Sequence, residues 1–191
     1  MTARTGLADY IQEVRASAEL GTADYSLGTA TYWSDDQIQT YLDRFREDIF
    51  RVEIEPVQQY EGGTVVYKIY QSPYKYLESG TPFEIEDQVG NTVGTALYSG
   101  DYARGVFTFV SDTGGSSYFI TGYAHNINQA IAKIWRMKAS HYAMRVDFST
   151  DNHSIKASQY VKHCVTMAEQ YEQGGGDFGF SSMEVVRSDN R

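Results

Sequence analysis

The sequence predicts an α+β fold. Two helices at the N-terminal end and a helical hairpin near the C-terminal end make a four-helix core, interrupted by an inserted antiparallel β-rich subdomain and followed by a flexible C-terminal arm. Three observations carry this. Apolar residues recur at helical spacing before residue 50 and again after residue 126. Between them the spacing falls to two, punctuated by Gly-rich turn signals. Three successive glycines, Gly174, Gly175 and Gly176, then part a short stretch from the rest. The expected division is 1–50 with 124–173 for the helical core, 51–123 for the β-rich subdomain and 174–191 for the arm.

Leu7, Ala8, Ile11, Val14 and Ala18 follow spacings of three and four and predict a short first helix that fades at Leu20-Gly21. A polar loop with Gly28 follows. Ser34 stands where it can cap free amides, Gln37 holds the reciprocal capping-box position, and Asp35 and Asp36 complement the positive helix end. A second helix therefore starts here, with Ile38, Tyr41, Leu42, Phe45 and Ile49 as its apolar line.

From Phe50 the period changes. Val52 and Ile54 alternate with acids, as do Phe83 and Ile85, while Val65 to Tyr70, Val106 to Val110 and Tyr118 to Ile120 are short β-rich runs. Gly62-Gly63, Ser79-Gly80, Gly90-Asn91, Ser99-Gly100-Asp101 and Gly114-Gly115 supply the turns. Residues 126–148 make the longest helical pattern, capped by Asn126 or Asn128, with Ile127, Ile131, Ile134, Trp135 and Phe148 on its apolar face. The loop Ser149 to Asn152 breaks it, and a last helix from about Ser154 to Tyr171 returns antiparallel with Cys164 on its stripe.

Composition bounds the function. Lys and Arg number 16 against 25 Asp and Glu, a net charge of −9, which argues against a free-standing nucleic-acid binder. The acidity is uneven: residues 1–125 hold 8 basic and 18 acidic residues, whereas residues 126–173 hold 6 and 4. One cysteine permits no internal disulfide and no Cys-rich zinc site. No apolar run has the length of a membrane span or a leader, so the expectation is a soluble protein made in a reducing compartment.

The search for chemistry returns little. The chain has no phosphate-loop motif, no HExxH and no GxSxG. His163 and Cys164 are adjacent but point about 100° apart on a helix, a poor arrangement for nucleophile and base. Asp147, Ser149, Asp151 and His153 alternate like the first ligands of a calcium loop, yet Asn152 replaces its glycine and Ser158 its bidentate glutamate, so an inter-helix turn is the better reading. The four histidines, His125, His141, His153 and His163, would bind metal only if the fold gathered them, and His141 suits a core or interface position better. Lys133, Arg136, Lys138 and Arg145 would suit either a path for nucleic acid or a solvated helix face.

Two stretches together resemble the head-tail connector proteins of tailed bacteriophages. One runs from Leu7 through Phe50, with Tyr32-Trp33-Ser34-Asp35-Asp36-Gln37-Ile38 and Tyr41-Leu42-Asp43-Arg44-Phe45-Arg46. The other runs from Ala130 through Ile134-Trp135-Arg136-Met137-Lys138 and His141-Tyr142, then Val146 to Asp151 and Ser158 to Ala168. The resemblance covers about half the chain and implies a head-completion or adaptor protein: a homo-oligomeric ring, usually twelve-fold, beneath the portal of the DNA-filled head. Its implied partners are the portal protein, the next neck or tail-completion protein, further copies of itself and, transiently, packaged DNA, with no membrane contact, no cofactor and no catalytic residues. The β-rich residues from about Phe50 to Tyr123 depart from the nearly all-helical small members.

Candidate partner-binding residues, for the portal or a neighbouring ring, are Phe178, Phe180, Met183, Val185 and Val186 in the arm. Lys133 and Arg136 are candidate channel or subunit-interface cations. Two other readings compete. A Tyr-rich β-domain would hold a carbohydrate or small molecule on its aromatic faces, and another neck or tail protein of the same virion would share the motifs.

Overall fold

The computed structural model describes residues 3–21, 25–27, 30–143, 148–150, 153–155 and 157–174. A single 3₁₀ turn, Thr5–Leu7, leads into α1, Ala8–Ser17, which buries Tyr10, Ile11 and Val14. The helix stops where Glu19 takes a φ of 51° and the Leu20 N–H reaches back to the Arg15 carbonyl at 2.9 Å, closing the last turn. A minimal hairpin, β1 (Tyr25–Leu27) and β2 (Ala30–Tyr32), occupies what the sequence offered as a polar loop. Helix α2, Asp35–Arg44, starts on the expected capping box: the Gln37 N–H donates to Ser34 Oγ, and the Ser34 N–H donates to Gln37 Oε1 at 2.8 Å.

The expected extension of α2 to Ile49 does not occur. Strand β3, Arg46–Glu61, begins two residues after the helix, because Arg46 to Ile49 pair with the end of β8 (Tyr118–His125). Ladder bonds and the burial of Ile49 outweigh a helical spacing that only Phe45 and Ile49 still followed. The first half of β3 pairs with β8, from Arg46↔His125 to Ile54↔Tyr118; its second half pairs with β4 (Thr64–Gln71), from Glu55↔Gln71 to Glu61↔Thr64. Bulges between Ile49 and Val52, and between Val57 and Gln59, bend the strand.

With β5 (Glu84–Glu86), β6 (Tyr98–Asp101) and β7 (Val106–Phe109), these strands make one antiparallel sheet in the order β5-β8-β3-β4-β7-β6. Its inner face buries Ile54, Tyr70, Phe83, Ile85, Phe107 and Ile120. Strand β6 falls where Ser99-Gly100-Asp101 suggests a turn. Gly100 sits there because the Phe107 ring occupies the space of a side chain: a Cβ would lie 3.0 Å from its carbons.

Helix α3, Ile127–Tyr142, is capped by Asn126, whose side-chain oxygen accepts from the Gln129 N–H at 2.9 Å. It ends six residues before the expected Phe148, and Phe148, Ser149 and Thr150 form β9, paired with β10 (His153–Ile155), in place of the expected loop. Helix α4, Ala157–Gly174, then runs antiparallel to α3, with Tyr160 against Tyr142, His163 against Trp135 and the Gly174 carbonyl 3.3 Å from Asn128 Nδ2. The helices bury a second cluster, Leu7, Ile11, Ile38, Leu42, Ile134 and Trp135 among it, completed by Leu20, Tyr25 and Trp33 from between α1 and α2.

The α+β class holds, but the expected architecture does not. A four-helix adaptor core with an inserted β subdomain is not evident: about 32% of the structure is strand, and six of the strands form one antiparallel half-barrel sheet. The physical reason is continuity, since β3 follows α2 and β8 precedes α3 with one residue between each pair. The arm expected at 174–191 lies outside the described residues beyond Gly174. Among the described residues no helix is long and apolar enough to cross a membrane.

Candidate interaction surfaces

Where helices meet sheet, four side chains from distant parts of the sequence close a polar cluster. The Arg4 guanidinium donates to both Asp43 oxygens on α2 and to both Glu78 oxygens, with Nε to Glu78 Oε1 at 2.6 Å. Glu78 Oε2 also faces His125 Nε2 at 3.1 Å, and His125 Nδ1 faces the Leu42 carbonyl at 3.2 Å. A neutral imidazole donates only one hydrogen bond, so the ring's tautomer sets which of the two contacts it donates.

Glu78 is 1% exposed and His125 wholly enclosed. Burial pushes the Glu78 carboxyl up, but hydrogen bonds from His125 and Arg4 and the Arg4 charge outweigh it and hold the group below its ordinary 4.5. Backbone bonds fix the seat: the Glu78 N–H donates to the Tyr123 carbonyl at 2.8 Å and the His125 N–H to that of Tyr76 at 3.0 Å. Gly6 lies so close to Ser79 that a Cβ would strike its carbonyl. The cluster is a weld between helices and sheet at Glu78 and His125, while Arg4 also borders an open cleft of about 640 Å³ with Asp9, Gln12, Asp35 and Asp36 around it.

Of the other histidines, His141 stacks on Tyr25 with ring centroids 3.8 Å apart, and His163 is exposed, edge-on to Trp135. His153 stands in β10, and Asp147 and Asp151 of the calcium-like alternation lie outside the described residues. Among the described residues no three His, Cys, Asp or Glu gather as a metal site would require. Cys164 is buried, as its place on the apolar stripe implies.

The candidate cations are brought to different fates. Lys133 is half-exposed and makes no ion pair among the described residues. Arg136 is held to α4 by a two-pronged pair with Glu172, at 2.7 and 2.6 Å. Lys138 is not on a solvated face: it is 1% exposed, lies 4.5 Å from the Trp135 ring centroid, and donates to the Ala18 and Glu19 carbonyls at the end of α1. Its phase with Ile131, Ile134 and Trp135 was a sequence signal for burial. Lys138→Met keeps the apolar stem but strands those carbonyls, with an expected loss of about 1–3 kcal/mol read from urea denaturation. Arg145, Phe178, Phe180, Met183, Val185 and Val186 lie outside the described residues.

The most open apolar surface belongs to the sheet half. Phe50, Tyr60, Val65, Val89, Leu97 and Val110 are its exposed large hydrophobics, and none of those named lies on α1 to α4. Beyond Glu55 and Ile69, β3 and β4 continue as a two-stranded arm with no third strand paired to them among the described residues. Tyr60 pairs across the arm with Val65, at 72% and 38% exposure, beside a Lys68–Glu61 ion pair of 2.7 Å. Pro56, the nearby bulge and Glu55 discourage edge-to-edge strand addition, which leaves the arm's faces for contact. On the outer face of the sheet Glu86, Phe119 and Glu53 stand in one cross-strand row, with the Arg51 guanidinium 5.0 Å from the Phe119 ring centroid.

A cleft of about 390 Å³ opens beside Phe109 and Tyr118, with Val93, Leu97, Asp87 and Asp112 around it. Its carboxylates already hold turns. Asp87 accepts from Asn91 and Val89, and Asp112 from Tyr67 and Gly114, bonds that lower both carboxyls. No protein-family model matches the chain, and no curated protein does.

Proposed function

We propose that this chain is a structural assembly subunit of a tailed-phage virion, a head-tail adaptor that forms a ring beneath the portal and offers a platform to the next neck or tail protein. The observation that carries an assembly role is the β3–β4 arm, which sets the Tyr60–Val65 pair in solvent while guarding its own edges. Exposed aromatic and aliphatic side chains on a two-stranded arm suit a partner protein better than a small ligand. The virion role itself rests on the order and spacing of the motifs in 7–50 and 130–168. An acidic sheet and a mildly basic helical third supply the two unlike surfaces that a head-to-tail ring requires.

The test is negative-stain imaging and native mass spectrometry of the full chain, alone and with portal rings. Closed rings, or portal rings capped by this chain, are expected. A monomer at every concentration that leaves portals bare overturns the virion role. The double variant Tyr60→Ser, Val65→Ser should weaken assembly while moving stability by no more than about 0.5 kcal/mol, as exposed substitutions do.

A further inference from the structure

The cleft of about 390 Å³ beside Phe109 and Tyr118 opens between the loop that follows β5 and the turn that follows β7. Both banks are anchored. Thr92 bridges to Glu86 and the Val93 N–H donates to the Ile85 carbonyl at 2.7 Å, while the Thr113 N–H donates to the Tyr67 carbonyl of β4 at 3.2 Å. The Phe109 and Tyr118 ring centroids lie 4.6 Å apart; Phe109 is buried, and Tyr118 keeps part of its surface open. Leu97 and Val110 stand on the rim at 57% and 69% exposure, tied by the Val110 N–H to the Leu97 carbonyl at 2.9 Å. Apolar surface is therefore within reach of an occupant.

Asp87 and Asp112 supply the only charges on the lining among the described residues. Turn amides hold both carboxyls below their ordinary 3.8, so both are anionic at neutral pH. The cations nearby are committed elsewhere. Lys68 lies close enough to Asp112 to favour its charge, but its ammonium is bound to both Glu61 oxygens, at 2.8 and 2.7 Å. Arg51 pairs with Glu86 at 3.6 Å and donates to the Asp87 and Gln88 carbonyls. The Tyr67 and Gly114 N–H groups reach Asp112 through Oδ1, at 2.8 and 3.0 Å. A carboxylate has about four acceptor sites, so Asp112 keeps capacity for a ligand.

We propose that this cleft docks an extended segment of a partner protein in which a lysine or arginine is flanked by large apolar residues. The cation meets Asp87 and Asp112 and rests against the open part of the Tyr118 ring. Its apolar neighbours cover Leu97 and Val110. A small free cation would satisfy the carboxylates but leave that rim bare in solvent, which is why the occupant is a segment. The inference does not rest on the virion role. It adds a second contact to the Tyr60–Val65 arm and names the chemistry of what binds there.

The test is a fluorescence-anisotropy titration of the full chain into a dye-labelled short peptide of alternating leucine and arginine. It should bind about tenfold tighter than the matching leucine–glutamate peptide, and about fivefold tighter than a serine–arginine peptide of the same charge, since only the first satisfies both carboxylates and rim. Asp112→Asn keeps Oδ1 as acceptor for the Tyr67 and Gly114 N–H groups and removes the charge, and should weaken binding about fivefold. The double variant Leu97→Ser, Val110→Ser should do the same, or Val110→Ser alone if the pair fails to fold, whereas Tyr60→Ser, Val65→Ser in the arm should leave the affinity unchanged. No binding, equal affinity for the three peptides, or an affinity untouched by Asp112→Asn and the rim variants overturns the proposal. Butylguanidinium alone binding as tightly as the leucine–arginine peptide overturns it too, because the ligand is then a small cation.

Discussion

Glu78→Ala should destabilise the protein by about 1–3 kcal/mol, the cost of leaving buried hydrogen-bonding groups without their partner. Arg4 would keep Asp43, but His125 would face a void on one side and the Leu42 carbonyl on the other. The same residue sets an acid dependence. The folded Glu78 carboxyl lies below its ordinary 4.5, so its stabilisation is fully present above about that pH and is lost as pH falls through the folded value. Urea midpoints measured downward from pH 6 should fall more steeply through the acid range for the native chain than for Glu78→Gln, which has no proton to take up there. Parallel curves would show that the weld carries no titrating carboxylate.

Trp135→Ala should cost about 3–5 kcal/mol, the range for removing a fully buried aromatic. Trp135 is 0% exposed on α3, meets the His163 ring across α4 at 5.6 Å, and lies beneath the Lys138 ammonium. Truncation removes the surface on which Lys138 rests as well as apolar area, so the effect should exceed that of Lys138→Met. A melting temperature within a degree of the native chain's would contradict the packing described.

The helices were legible where local chemistry decides them. Ser34 and Gln37 announced the start of α2, and Asn126 that of α3, because a cap depends on residues three positions apart. The ends were harder. Phe45 to Ile49 fit a helical step and a strand equally, and the choice was made by β8, some seventy residues on. Phe148 likewise extends the apolar pattern of α3, yet it pairs with Ile155.

The polar weld left no trace of its own in the sequence. Arg4, Asp43, Glu78 and His125 stand 35 to 47 positions from one to the next, and each alone looks like an ordinary surface charge or a stray histidine. The class of fold was legible and the arrangement was not, since periodicity reports which face is buried and says nothing of what covers it.

Strand β3 is a single backbone of sixteen residues, ~50 Å if extended at ~3.3 Å per residue, running from the weld to the arm's tip. A pull on Tyr60 along that line is therefore felt first as shear on its ladder with β8, where the bonds across both strands share the load rather than opening one by one. A sideways push instead meets the two bulges, the places where the ladder is interrupted. The arm is stiff in tension and compliant in bending, so a partner gripping its tip can settle through a range of angles without loosening the joint at Arg4.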